Sequence, residues 1–334
     1  MGIKSFSKVF EHHGEIKYKD LKGKTMAIDA MYQLHRMAHP FKTTKKAALL
    51  GPDGTSTNHI NGLLALILNL KRYGVNQVWV FDNPNENHNN IKEAENKRRH
   101  SRNAALKLKY NNLLQTAQDK TFSDSDDNAN KIALNKYNRA AFTLEPYMID
   151  DLKYILNCFD IPWIEAPVGF EAEQIAAYMT NHPIDGITAD GVISNDPDCL
   201  LFGARLMVKN DKGKLYRYNL QMLLNDAKIE QNDLIKAGVM LGSDFAHKTI
   251  GIGPKSVLPK LPTIKLTSEQ QQAYNYFAKP ICPEILTALK WNGSIAKSFA
   301  NKEKITDLYK WTTVTKGFNE DRTKNRFNAA KLKM

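Results

Sequence analysis

Two apolar runs, each closed by an acid, frame the first part of this chain: Thr25-Met-Ala-Ile-Asp29 and Val78-Trp-Val-Phe-Asp82. Unbroken runs of this length read as strands buried on both faces, as in a parallel sheet. Between them, residues 60 to 73 place apolar positions at helical spacing and predict an amphipathic helix. Strand, helix, strand is the unit of an α/β fold. The expected class is therefore α/β, with a central, mainly parallel sheet flanked by helices. In open sheets of this kind ligand sites lie beyond the carboxyl ends of the strands, which is where Asp29 and Asp82 fall.

After Asp82 the pattern changes. Asn83 to Asn90 is polar and loop-like, and Ile91 to Leu114 predicts a helix crowded with Lys92, Lys97, Arg98, Arg99, Arg102, Lys107 and Lys109. Ser123-Asp-Ser-Asp-Asp-Asn128 reads as an exposed turn, and Lys131 to Asn157 returns as helix, bent near Pro146. Residues 84–145 thus form a helical insertion. Pro167 to Tyr178 opens a helix with Gly169 at its start, Gly186 to Ser194 is strand-like, and Asn195-Asp-Pro-Asp198 follows. Gly251-Ile-Gly-Pro-Lys255 lies between helical stretches, and 268–334 is helical and basic. The division expected is a core over 1–240 and a smaller part over 241–334.

A chain of 334 residues can bury a core that needs neither disulfide nor structural metal. Cys158, Cys199 and Cys282 are far apart, with no C-x-x-C, and read as inert buried thiols in a reducing compartment; zinc is not expected. The N-terminus has no apolar signal core, and the longest apolar run, Leu63 to Leu68, is too short to cross a bilayer. An intracellular, soluble protein is the expectation. Met1-Gly2 does not make a myristoylation signal, because Phe6 stands where Ser or Thr is required. With 47 Lys and Arg against 35 Asp and Glu, the formal charge is +12, which favours a polyanionic partner through counterion release.

The candidate chemistry is carried by seven carboxylates: Asp29, Asp82, Glu171, Glu173, Asp196, Asp198 and Asp244. Each has a bland reading. Acids in the first turn of a helix favour the helix dipole, Asp and Pro at 195–198 suit a turn, and a basic helix is usually a solvated face. Five separate acidic stretches, two of them paired at i and i+2, are harder to explain one at a time. A dense carboxylate cluster repels itself unless cations neutralise it, and magnesium, which prefers oxygen ligands and keeps waters, is the cation such a set suits. Lys92 and Arg99 are seven apart and point the same way on a helix. Glycines at 251 and 253 let backbone N–H groups approach a phosphate at the start of the next helix.

These segments match a known pattern. Met1-Gly-Ile-Lys-Ser-Phe6, Ala27-Ile-Asp-Ala30, Asn58-His-Ile-Asn-Gly62, Val80-Phe-Asp82, Ala166-Pro with Glu171-Ala-Glu173, Asn195-Asp-Pro-Asp-Cys-Leu200, Leu241-Gly-Ser-Asp244 and Gly251-Ile-Gly-Pro-Lys255 resemble, in order and over nearly the whole chain, the flap endonucleases and the wider XPG-like group of structure-specific 5′ nucleases. Phe318-Asn-Glu-Asp-Arg322 points to the flap endonuclease branch. The resemblance implies a PIN-like 5′ nuclease fold with a helical arch at 84–145 and a helix-hairpin-helix element at 241–258. It implies that the seven acids bind two magnesium ions, with manganese as a substitute, and that the hairpin holds a potassium ion. Lys92 and Arg99 look like the family's two cations at the scissile phosphate, although three more residues separate Asp82 from Lys92 than in typical members. Gly2, His35, Arg98, Arg102, Gly251, Gly253 and Lys255 are the implied DNA contacts, His35 standing where the family has a base-stacking aromatic and being equally readable as a packed helix histidine.

The implied activity is hydrolysis of DNA phosphodiesters at flaps and nicks in replication or repair, by a monomer at the nucleus or another site of DNA replication. A 5′→3′ exonuclease, a junction resolvase and a non-catalytic nucleic-acid scaffold are the competing readings. No clamp-binding peptide of the family's kind precedes Met334. Gln270-Gln-Gln-Ala-Tyr-Asn-Tyr-Phe277 imitates its spacing, but Ala273 replaces the larger aliphatic and the segment reads as a core helix.

Overall fold

The computed structural model describes residues 3, 5–39, 49–83, 142–291, 302–330 and 332, with isolated positions between 101 and 115. Its strands are Glu15–Ile16 (β1), Thr25–Asp29 (β2), Asn76–Phe81 (β3), Trp163–Glu165 (β4), Gly191–Ile193 (β5), Leu206–Asp211 (β6), Lys214–Asn219 (β7) and Lys290–Trp291 (β8). They form one sheet in the order β1-β7-β6-β5-β2-β3-β4-β8. The five central strands run parallel, and antiparallel partners close both edges. The mainly parallel α/β sheet expected from the sequence is what the chain forms.

Strand order explains the apolar runs. Alternate residues of a strand face opposite sides: Ala27, Val78, Val80 and Val192 join one core cluster, while Met26, Ile28, Trp79, Phe81 and Ile193 join another on the opposite face. The first cluster also holds helices Ala172–Met179 (α4), Asp198–Leu201 (α5), Gln231–Leu241 (α7) and Ser268–Ala278 (α9). The second is covered by Ala30–Ala38 (α1), Asn58–Arg72 (α2), Pro146–Cys158 (α3), Lys302–Lys310 (α10) and Glu320–Ala329 (α11). Leu220–Ala227 (α6) follows β7, and Val257–Lys260 (α8) is one short turn. Helices on both faces leave no polar side for the central strands, so these do not alternate in sequence.

The helix that leads into β3, α2, spans 58–72, close to the predicted 60–73. It is fastened to the C-terminal segment by a buried ionic group: Asp151 Oδ2 on α3 lies 2.9 Å from His59 Nε2 and accepts Lys316 Nζ at 3.0 Å. Arg326 of α11 adds a 2.7 Å bond to Asn61.

Several expectations need correction. Pro146 starts a helix and does not bend one: it occupies the first turn of α3 after an extended Glu145, as proline's missing N–H and its effect on the preceding residue require. The strand-like run at 186–194 shortens to 191–193, because Asp185 and Gly186 have positive φ and turn the chain between Ile184 and Ile187. Within 268–334 the chain breaks helix to add edge strand β8. Cys158 and Cys199 are buried, but Cys282 is exposed, since it lies in the connection between α9 and a short 3-10 turn at 283–288. The segment that imitates a clamp peptide is helix α9, with Ala273, Tyr276 and Phe277 buried, as the core reading required. The insertion at 84–145 lies mostly outside the described residues; positions 101, 104, 105, 108, 109, 111, 112 and 115 are helical and exposed. Among the described residues no helix is long and apolar enough to cross a membrane.

Candidate metal centre

The order of strands makes a site. From β2 the chain moves through β3 to β4 on one side, then crosses back to β5 and β6 on the other, so the direction of winding reverses between β2 and β5, where such sheets hold their ligands. Asp29 is the last residue of β2, Asp82 follows β3 by one residue, and Ser194 to Asp198 follow β5. The predicted placement of Asp29 and Asp82 at strand ends holds.

Asp29 is buried and caps α1: one carboxylate oxygen accepts Tyr32 N–H at 2.8 Å, and the other accepts Ser194 Oγ–H at 3.0 Å. Ser194 Oγ in turn accepts Asp196 N–H at 3.0 Å, and Asp196 Oδ1 accepts Asp198 N–H at 3.0 Å. One relay thus runs from Asp29 to Asp198 through Ser194. Asp82 Oδ1 accepts Ala172 N–H at 2.8 Å, the first amide of α4, which carries Glu171 as its N-cap and Glu173 in its first turn. Gln174 accepts the Glu171 N–H at 3.0 Å. Helix N-termini from α1, α4 and α5 all meet acids here, and their dipoles favour that negative charge. The dipole reading alone does not account for the density of acids: Asp82, from a different strand, already takes the opening N–H of α4.

Electrostatic interactions link the seven acids into one connected set. Burial, the larger cause, pushes the Asp29 carboxyl up to about 7, with Asp82 and Asp196 adding repulsion. Glu173 is raised well above the usual range by burial first and then by Asp29, Asp82, Glu171 and Asp196. Burial also raises Asp196, against the hydrogen bond from Asp198 and with repulsion from Asp244. Asp198 is raised well above the usual range by burial, then by Asp196, Asp244 and Glu171. Asp244 reaches this group from the turn after α7, which closes at Gly242 with φ 94°; a Cβ there would stand 3.2 Å from Lys248 N.

Among the described residues, no three His, Cys, Asp or Glu side chains are already arranged to hold a metal ion. Two observations still fit the set to one. Its donors are carboxylate oxygens, which suit a hard cation, and magnesium keeps several waters, so the acids need not all touch it. Asp198 Oδ1 is buried with no hydrogen-bond partner among the described residues, an arrangement that native structures seldom leave without an ion or water.

The other candidate residues lie as follows. His35 is half-buried on α1, with its ring edge-on to Phe142 at 5.6 Å and to His39 at 4.8 Å. Lys255 is exposed in the hairpin between α7 and α8, whose tip, Ile250, is 99% exposed. Gly251 has φ 75°, which favours glycine, and a Cβ on Gly253 would meet only open space. The Gly253 N–H is given to Ser256 Oγ at 3.0 Å, so that amide is engaged within its own loop. Gly2, Lys92, Arg98, Arg99 and Arg102 lie outside the described residues.

Sequence reasoning missed Ser194 and Gln174, both buried. Ser194→Ala removes a donor to Asp29 and strands the Asp196 N–H. The expected cost is about 1–3 kcal/mol in urea unfolding, together with a higher magnesium concentration for half-maximal binding; an unchanged magnesium titration would remove Ser194 from the site.

The acids gather where the winding of a mainly parallel sheet reverses, and the chain's likeness to known proteins gives the class. The XPG N-terminal domain model matches residues 1–105 and the XPG I-region model matches 160–244. Flap endonuclease 1 of Nanoarchaeum equitans is 30% identical over 286 residues, covering 81% of this chain and 77% of the relative. That of Methanocaldococcus jannaschii is 28% identical over 315 residues, covering 92% and 89%. This chain belongs to the XPG-type flap endonuclease family, and is a nuclease. In fold it resembles the flap endonuclease-1 structure from Methanococcus jannaschii, with a TM-score of 0.70, 24% identity and 98% of each chain covered. The catalytic core of Rad2, in complex with DNA substrate, matches with a TM-score of 0.66 and 18% identity over 98% of this chain and all of that one.

Proposed function

We propose that this protein is a magnesium-dependent, structure-specific 5′ nuclease that hydrolyses DNA at flaps and nicks in replication or repair, with 5′→3′ exonuclease activity. The observation that carries this reading is the convergence of seven carboxylates from separate chain segments, with a buried, unpartnered oxygen on Asp198. Asp29, Asp82, Glu171, Glu173, Asp196, Asp198 and Asp244 would hold two magnesium ions. Bound there, the ions supply activation of a water and neutralisation of charge on the phosphodiester.

The chain's own residues do the rest. Ser194 and the N–H groups of Tyr32, Ala172 and Asp198 fix individual carboxylate oxygens, so the cluster is oriented before substrate arrives. Burial of Asp29, Asp196 and Asp198 strengthens the charge interactions they take part in. Lys92 and Arg99 place positive charge at the scissile phosphate, in line with phosphoryl transfer by positioning and charge stabilisation. Exposed Lys255, with Gly251, grips the duplex backbone without reading bases, and the hairpin would hold the potassium ion that the resemblance implies. Arg98 and Arg102 draw the single strand through the insertion, with Gly2 and His35 near the junction. The partner is DNA with a single-strand/duplex junction. The Rad2 core and human GEN1, whose structures are described with DNA substrate and with Holliday junction DNA, support this choice of partner.

The test is incubation of the protein with a labelled 5′-flap duplex and a blunt duplex, in magnesium or in EDTA. Magnesium-dependent cutting near the flap base, favoured over the blunt end, is expected. Salt-sensitive binding with no cutting would make the protein a scaffold.

A further inference from the structure

Helix α9 touches both working parts of the molecule, and it does so through side chains that have no place in the acidic set. Tyr276 is buried, and its hydroxyl donates to Gln174 Oε1 at 3.2 Å. The same Gln174 oxygen accepts the backbone N–H of Glu171. The Tyr276 ring packs 4.7 Å from Phe245, the residue after Asp244, and 6.0 Å from Phe202, the residue after α5, which begins at Asp198. One side chain therefore contacts the supports of three acid-bearing segments that are remote in sequence. Earlier on the same helix, buried Gln270 donates to the carbonyl of His247 and to Thr249 Oγ1, both at 2.9 Å, and accepts Thr267 N–H at 3.2 Å. His247 and Thr249 form the approach to the hairpin tip, and Thr249 N–H is bonded back to Met240 on α7 at 2.9 Å.

We propose that α9 is a spacer between the duplex-gripping hairpin and the acidic centre, with Tyr276 as a positioning residue for the acids at 171, 198 and 244 and Gln270 as a positioning residue for the hairpin. This rests on the proposed nuclease reading and adds to it the device that selects which phosphodiester meets the acids. A helix is stiff along its axis, and both anchors are buried and hydrogen-bonded, so displacing either end changes the distance between grip and centre. Sub-ångström placement matters because the reacting atoms must be aligned within a fraction of a bond length.

Two substitutions separate the two anchors. Tyr276→Phe keeps the ring and removes one hydroxyl. It is expected to weaken magnesium binding to the DNA-free protein by about three- to tenfold, the effect of losing one neutral hydrogen bond, as read from magnesium-induced thermal shifts. KM for the flap duplex stays unchanged while kcat falls. Gln270→Ala is expected to leave the magnesium titration where it is, to raise KM for the flap duplex, and to spread cutting over phosphodiesters next to the wild-type position. A merely structural role would lower thermal stability in both variants without this split. The proposal is overturned if Tyr276→Phe titrates with magnesium like the wild type, or if Gln270→Ala cuts at the wild-type position with wild-type KM. The magnesium titration needs no substrate. A wild type that binds magnesium but cuts no flap therefore sinks the nuclease reading, while the Tyr276 half of the proposal is still decided.

Discussion

Alanine at Asp198 is expected to lower magnesium-dependent flap cleavage by about a thousandfold or more, because a metal-held centre loses several kcal/mol of transition-state stabilisation with a ligand. Flap binding should change little, since affinity for DNA rests mainly on phosphate contacts by cations. Asp198 is the acid to choose. It is buried, its Oδ1 has no hydrogen-bond partner among the described residues, and it opens α5 against Asp196, Asp244 and Glu171. Removing it also removes repulsion, so the metal-free variant should be no less stable than the wild type despite the small cavity. Single-turnover cleavage and gel-shift binding of the same flap duplex give the two numbers. Turnover within tenfold of the wild type would take Asp198 out of the centre.

A second large effect is a reversal of pH dependence by magnesium. Asp29, Glu173, Asp196 and Asp198 are all raised above their ordinary range in the fold, so between about pH 4 and the folded values the native state holds protons that the unfolded chain has released. Stability from these groups is then fully present below about pH 4 and is lost as pH rises through the folded values, near 7 for Asp29. Each tenfold change in proton affinity is about 1.4 kcal/mol, which makes the loss for Asp29 on the order of a few kcal/mol, and the other three acids act in the same direction. On the proposed reading, magnesium would compete for the same oxygens. Its stabilisation should be small near pH 5 and large near pH 8, where the carboxylates are ionised and repel one another unless cations are bound. Thermal unfolding with and without magnesium across that range measures the difference. A magnesium effect of equal size at both ends would mean that the raised acids and the metal site are not the same groups.

The parts of this molecule that were legible in sequence depend on neighbours along the chain. A buried strand shows itself as an apolar run, and an acid that ends such a run is already placed at the mouth of a parallel sheet; Asp29 and Asp82 needed nothing more. The paired acids at 171 and 173 and at 196 and 198 could be recognised as unusual, but their bland readings as caps and turns were also partly right. Asp29 does cap α1 and Glu171 does stand at the N-cap of α4. Local rules cannot separate an acid that only caps from one that caps and also meets acids from other segments.

Short edge strands escaped the pattern because two residues, as in β1 and β8, define no period. The β6–β7 hairpin was missed because its turn at Lys212-Gly213 joins strands whose polar ends blur the alternation. The exposed Cys282 was misjudged because burial depends on what packs over a residue from elsewhere in the chain.

The sequence by itself determined the α/β class and the family pattern, and it marked the seven acids as candidates, since each is written in short runs whose hydropathy and charge are read from neighbouring residues. The tertiary structure decided which groups hold those acids in place. Ser194 reaches Asp29 across 165 positions, and Tyr276 reaches Gln174 across 102. Neither serine nor tyrosine carries a local signal of such a role, because a hydrogen bond between remote segments exists only once strand order and helix packing have brought its two ends within 3 Å or so of each other.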